Sequence, residues 1–150
     1  EAKFKIDKSV NDILMSEITY GLFDKNRLAN FKKTTENIKI HTKKFFKEAR
    51  INNKTIIGYG APAKGNTFLN YCGISNKDIK FTVDKNVTKQ NTLLPGTKIP
   101  VYGVDMINSV KADYIFILPW NLKDEITAQI IENINYSVNF VIAIPELKIY

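Results

Sequence analysis

The chain has 150 residues, of which 44% are hydrophobic and 25% are charged, a composition typical of one globular domain and not of a disordered segment. No apolar run is long enough to cross a bilayer, which excludes a membrane-spanning class. The single cysteine, Cys72, excludes an internal disulfide and a cysteine-rich metal cluster, and it favours a cytoplasmic location. Because the chain begins with Glu1 and not with Met, we expect a fragment of a longer protein.

The net charge of +7 is concentrated in residues 24–50, where nine lysines and arginines face three acidic residues. Such a segment could bind nucleic acid, an anionic membrane or an acidic partner, or it could be a solvated helix surface. The sequence holds no nucleic-acid-binding motif and no interleaved aromatic residues. We therefore expect neither nucleic acid nor a membrane as a partner.

Two helices are predicted first. Residues 8–20 show helical periodicity, with Ser9 as the expected N-cap and Gly21 as the end. Asp24 is expected to cap a longer helix that runs to about residue 50. Together they predict a helical lead-in over residues 1–52 that packs on the following domain.

Strands and helices then alternate over residues 53–150, the predicted second domain. Alternation of this kind predicts a Rossmann-like α/β fold, an open parallel sheet with helices on both faces. Residues 85–98 read as a polar loop, and a short strand at residues 99–102 and a small helix at residues 104–109 are expected after it. The four clearest strands are expected at residues 55–59, 79–83, 113–118 and 138–144, with helices at residues 62–71 and from 121 to about 135.

The most informative stretch is residues 54–66, KTIIGYGAPAKGN, where a strand turns into a helix through Gly58 and Gly60. Open amides at a helix start attract anions, and glycines let an oxyanion approach the backbone. Lys64 in the first helical turn is unfavourable unless an anion lies nearby. The stretch predicts a phosphate or diphosphate site, although a merely tight turn has the same pattern.

Two further loops follow strands and should reach the same edge of the sheet. Asp84 ends the second strand, 24 residues after Gly60, where dinucleotide-binding folds place an acid that binds ribose. A turn-forming aspartate is the alternative. Trp120 and Asn121 follow the strand at residues 113–118. No nucleophile elbow, metal-ligand set or histidine-centred triad can be assembled, so we expect no catalytic residue and no metal ligand.

Four blocks in order, GYGAPAKGNTFLNYCGI, FTVDKN, LLPGTKIPV and DYIFILPWNLKDEI, resemble the C-terminal domain of sugar-nucleotide C-methyltransferases. The resemblance covers about residues 54–146, and EITYGLFDKNRLANF resembles the lead-in of that domain. These enzymes use S-adenosylmethionine to methylate a carbon of a deoxysugar attached to a nucleoside diphosphate. In the family, an N-terminal part binds zinc through cysteines, and a middle domain binds the methyl donor and carries the acid–base residues.

The resemblance implies that this chain binds the nucleoside-diphosphate sugar and faces the methyl-donor-binding domain of its parent chain. S-adenosylmethionine and zinc are then expected for the parent enzyme, with no cofactor bound by the fragment itself. The alternative is a stand-alone nucleotide- or dinucleotide-binding module, or an interaction module, without catalysis. The residues expected to bind substrate are Gly58, Tyr59, Gly60, Ala61, Lys64, Gly65, Asn66, Asp84, Trp120 and Asn121.

Overall fold

A computed structural model describes residues 7–150 of the chain. The described residues form two compact units, residues 7–37 and residues 38–150. Two long helices open the chain, α1 (Lys8–Tyr20) and α2 (Lys25–Ile51), as the sequence predicts. Among the described residues, no helix combines the length and the apolar character that a membrane span requires.

The first unit contains α1 and the start of α2. The N-cap of α1 is Asp7, whose Oδ1 accepts a hydrogen bond from the Ser9 amide at 2.8 Å, so the prediction of Ser9 as the cap was wrong by two residues. Both residue types can cap, but the aspartate carboxylate is the stronger acceptor. Gly21 ends α1 with φ of +77°, and Asp24 caps α2 through the Asn26 amide at 2.9 Å, as predicted.

The second unit is built on a seven-stranded sheet. Its elements after α2 are β1 (Ile56–Tyr59), α3 (Ala63–Cys72), β2 (Thr82–Val83), β3 (Thr92–Leu93), β4 (Pro100–Tyr102), β5 (Tyr114–Ile117), α4 (Lys123–Ile131), β6 (Asn139–Ile142) and β7 (Lys148–Ile149). The strand order is β3-β4-β2-β1-β5-β6-β7, and short 3₁₀ helices, Val104–Asn108 and Trp120–Leu122, follow β4 and β5.

The five inner strands are parallel, which confirms the predicted doubly wound α/β class. The sheet is mixed at its edges, because β3 and β7 pair antiparallel with β4 and β6. Neither edge strand was predicted, and β3 lies inside the segment read as a polar loop. Both residues of each edge strand are exposed, so these strands have no apolar face from which sequence patterning could detect them.

The core lies on both faces of the sheet, as the near-continuous apolar runs predict. Successive residues of β1 point to opposite faces: Ile56 packs in the cluster with Phe46 of α2 and Leu69 of α3, whereas Ile57 packs in the cluster with Ile126 of α4. Helices therefore cover both faces. Cys72, the last residue of α3, is fully buried in the same cluster as Phe46 of α2. Burial raises the pKa of its thiol to about 11, so Cys72 acts as a small apolar side chain.

Asp113 ties the beginnings of the two central strands together. Its carboxylate accepts hydrogen bonds from the Thr55 amide and from Lys54 Nζ, each at 2.8 Å. These two contacts hold the pKa of Asp113 below its ordinary value, the Lys54 hydrogen bond being the larger cause. The charged carboxylate thus stabilises the pairing of β1 with β5.

We predict that Asp113→Ala lowers the free energy of unfolding by about 1 kcal/mol at neutral pH, since both bonds lie near the surface. A carboxyl group with a lowered folded-state pKa stabilises the fold above its unfolded pKa and loses that effect as the pH falls through the folded value. The difference between the two proteins should therefore shrink in acid, measured by urea unfolding at several pH values.

Asp124→Ala is the matched control, because Asp124 also pairs with a lysine but its side chain is 89% exposed. We expect almost no change in unfolding free energy from this variant. Equal effects of the two substitutions, or a difference that persists in strong acid, would contradict the role given to Asp113.

Candidate functional site

The chain leaves the sheet at Gly60, at the carboxyl end of β1. Gly60 has φ of +84°, and a Cβ built there would lie 2.7 Å from Pro119 Cδ. Only glycine fits here, because another residue would disfavour the positive φ and its Cβ would clash with Pro119. Thr82 Oγ1 donates a hydrogen bond to the Gly60 carbonyl at 2.8 Å. The loop is therefore held tightly between the ends of β2 and β5.

Asp84 faces this loop and holds it by its backbone. Its Oδ2 accepts a hydrogen bond from the Ala61 amide at 2.6 Å, and its Oδ1 accepts one from the Asn86 amide at 2.8 Å. Lys89 Nζ donates to the Ala61 carbonyl at 3.0 Å and lies 3.4 Å from Asp84 Oδ2. The Asp84 carboxylate thus accepts the hydrogen bond of an amide that the glycine loop was expected to offer to a phosphate.

The amides left for an anion lie one step further along, in the first turn of α3. The N-cap of α3 is Pro62, which provides no side-chain hydrogen bond. The amides of the three residues that follow, residues 63–65, have no acceptor within the helix and lie at its positive end. Gly65 is buried, and a Cβ there would lie 2.9 Å from Leu118 Cβ, so glycine lets α3 start close to the sheet.

Lys64, Trp120 and Asn121 meet at this helix start, as their placement after neighbouring strands predicts. Lys64 Nζ donates a hydrogen bond to Asn121 Oδ1 and lies 4.5 Å from the centroid of the Trp120 ring. The Trp120 ring is fixed in turn by an edge contact with Phe68, at 6.3 Å between centroids. Within residues 7–150 no carboxylate pairs with Lys64, so its charge remains free for a ligand.

The other predicted residues lie further from this point. Gly58 is inside β1, where a Cβ would lie 2.7 Å from Thr82 Oγ1, so it serves strand packing. Tyr59 is 5% exposed, and burial, followed by the charge of Asp84, raises its pKa. Asn66 lies in the first turn of α3, where its amide donates to the Pro62 carbonyl at 3.0 Å.

A cleft opens beside the loop, on the face of the sheet covered by α4. Its volume is about 210 Å³. It lies at the carboxyl ends of β1 and β5, where the strand order reverses, and ligands of open α/β sheets bind at such a point. The lining residues from α4 and the turn before it were not singled out from the sequence, because they carry no motif. The lining residues are Tyr59, Gly60, Asp84, Lys85, Pro119, Leu122, Glu125, Ile126 and Gln129.

If the Asp84 carboxylate holds the loop, its removal should free the Ala61 amide. We predict that Asp84→Ala speeds hydrogen exchange of this amide and lowers the unfolding free energy by about 2 kcal/mol, the scale of a hydrogen bond to a charged group. Amide exchange followed by NMR measures the first effect, and urea unfolding measures the second. Asn86→Ala, which removes two exposed hydrogen bonds that Asn86 Oδ1 accepts from Thr88, is the control. Unchanged exchange at Ala61 in Asp84→Ala would refute this role.

Comparison with known proteins gives two matches. Residues 1–145 match a family model described as the C-methyltransferase C-terminal domain. The chain is also 29% identical over 148 residues to the C-methyltransferase NovU of Streptomyces niveus. This alignment covers 99% of the chain but 35% of the relative, so the chain spans about a third of that protein's length.

Proposed function

This chain belongs to the C-methyltransferase C-terminal domain family, and we propose that it holds the substrate of a methyltransferase that acts on a nucleoside-diphosphate deoxysugar. The diphosphate would bind at the start of α3. The methyl donor, S-adenosylmethionine, would be carried by another domain of the parent enzyme, as would the zinc site that the family resemblance implies. The proposal follows the collinear resemblance of the sequence, and the local geometry supports it.

The observation that carries the proposal is the position of the Lys64 ammonium. It is held at the positive end of α3 by Asn121 and Trp120, beside amides that lack an acceptor in the helix. The Lys64 ammonium and the positive end of α3 would repel each other here unless an anion lay between them. A diphosphate satisfies both, because each of its oxygens accepts hydrogen bonds and its charge offsets that of the lysine.

The residues present do not fit S-adenosylmethionine at this loop. The methyl donor carries a sulfonium cation, whereas Lys64, Lys85 and Lys89 surround the loop with positive charge. A bound adenosine would also need an acidic acceptor for its ribose, and the oxygens of Asp84 are already bonded to two backbone amides. We therefore assign the loop to the anionic substrate.

The contribution of the chain to methyl transfer would be positioning. The loop is rigid, because its carbonyls and amides bond to Thr82, Asp84 and Lys89. A diphosphate fixed at a rigid helix start holds the attached sugar in one orientation toward a methyl donor on the facing domain. Holding the reacting groups in place in this way lowers the barrier without any bond-making residue in this chain.

We predict that Lys64→Ala weakens binding of thymidine diphosphate roughly 10- to 100-fold, which corresponds to one charge-assisted contact of about 1.5–3 kcal/mol. Titration of the 150-residue chain by NMR measures this, since NMR detects weak binding. Lys111→Ala is the control: it removes an exposed lysine that precedes β5, outside the loop.

Equal weakening by the two lysine variants would show that binding depends only on overall charge, and it would refute the assignment to the loop. Tighter binding of a dinucleotide such as NAD than of thymidine diphosphate would instead favour a dinucleotide-binding module.

A second candidate function has one observation in its favour. A groove of about 460 Å³ lies between α2 and the end of α3, and its basic side chains include Lys43, Lys44, Lys47 and Arg50. Two of these cations are already paired, Arg50 with Asp78 and Lys44 with Glu48. If this groove docks an acidic partner, charge reversal at Lys43, Lys44 and Lys47 would abolish the association, whereas Lys64→Ala would leave it intact.

A further inference from the structure

A second polar group lies in the cleft on the α4 side of the sheet, away from Lys64. Lys85 follows β2, and its Nζ donates to Gln129 Oε1 of α4 at 2.5 Å. Gln129 Nε2 donates in turn to Glu125 Oε1 at 3.0 Å. This chain of hydrogen bonds joins the end of β2 to α4 along the cleft.

Apart from Asp84, whose carboxylate is bonded to loop amides, the rest of the cleft is mainly apolar, and the cleft is small. Tyr59, Pro119, Leu122 and Ile126 line it beside the polar chain. A smaller cavity of about 110 Å³ adjoins it and shares Tyr59, Lys85 and Gln129. Typical pockets for larger ligands measure about 300–1,000 Å³, so the main cleft has room for one ring and not for a whole dinucleotide.

The unused hydrogen-bonding capacity of the polar chain suits hydroxyl groups. The amide of Gln129 is bonded at both its oxygen and its nitrogen. Glu125 retains a second carboxylate oxygen, which only accepts, and Lys85 retains further N–H groups, which only donate. A hydroxyl group both donates and accepts, so vicinal hydroxyls could bridge these two side chains. The apolar lining then suits the face of a sugar ring that carries C–H groups.

We propose that this cleft binds the sugar ring of the substrate, with Glu125 and Lys85 contacting its hydroxyl groups. The inference rests on the proposed function, in which the diphosphate binds at the start of α3. The two sites are adjacent in the chain: Gly60 and Pro119 line the cleft, and Trp120, the residue after Pro119, contacts Lys64 at the start of α3. The diphosphate would thus sit on one side of Gly60 and the sugar on the other.

Glu125→Ala tests the proposal, because the loss of its negative charge and the loss of its hydrogen bond to a hydroxyl group change ligand affinity in opposite directions. Removal of a carboxylate near the diphosphate should leave the affinity for thymidine diphosphate unchanged or increase it. The affinity for thymidine diphosphate glucose should fall about tenfold, through the lost hydrogen bond to a charged group. Both ligands are titrated into the 150-residue chain by NMR, and Glu132→Ala, an exposed glutamate at the end of α4, is the control.

The outcomes separate the two proposals. Equal loss of both ligands in Glu125→Ala, or no loss of the sugar nucleotide in a variant with unchanged thermal unfolding, would overturn the sugar site alone. Wild-type affinities that do not differ between the two ligands would also overturn it, since the ring would then add no contact. Binding of neither ligand to the wild type would overturn the proposed function, and the sugar site with it.

Discussion

The hydrogen bond between the Ala61 amide and the Asp84 carboxylate, 2.6 Å long, is the contact on which the proposed site depends. It joins the ends of β1 and β2 and fixes the direction in which the chain enters α3. Thr82 bonds the carbonyl of the same peptide unit, that of Gly60, and Lys89 bonds the carbonyl of the next unit, that of Ala61. A ligand bound at α3 would therefore meet a loop that is already ordered, and it would lose little affinity to ordering of the protein.

The glycines of this region show why a motif alone does not define a site. Gly58 and Gly65 allow the close approach of Thr82 and Leu118, and Gly60 allows both a positive φ and contact with Pro119. These are packing requirements of a tight strand–loop–helix unit. The proposed binding function rests instead on a lysine held by a tryptophan and an asparagine at the positive end of a helix.

The fold was predictable because the inner strands and the helices carry strong periodicity, and the family resemblance added the order of the blocks. The edge strands β3 and β7 were not predictable, because their residues are exposed and carry no apolar pattern, unlike the buried residues of the equally short β2. In the site, the meeting of Lys64 with Trp120 and Asn121 followed from the shared sheet edge. The sequence could not predict the bond of Asp84 to the loop or the polar chain through Gln129, because side-chain partners that are distant in sequence leave no local pattern.

Mapping of backbone amide shifts by NMR, as thymidine diphosphate is added to the chain, tests the central claim most directly. If the diphosphate binds at the start of α3, the largest shifts should fall on the amides of Ala63, Lys64 and Gly65, which lack acceptors in the helix. Largest shifts in the basic groove at Lys43 and Lys47, or no shift at the start of α3, would contradict the claim.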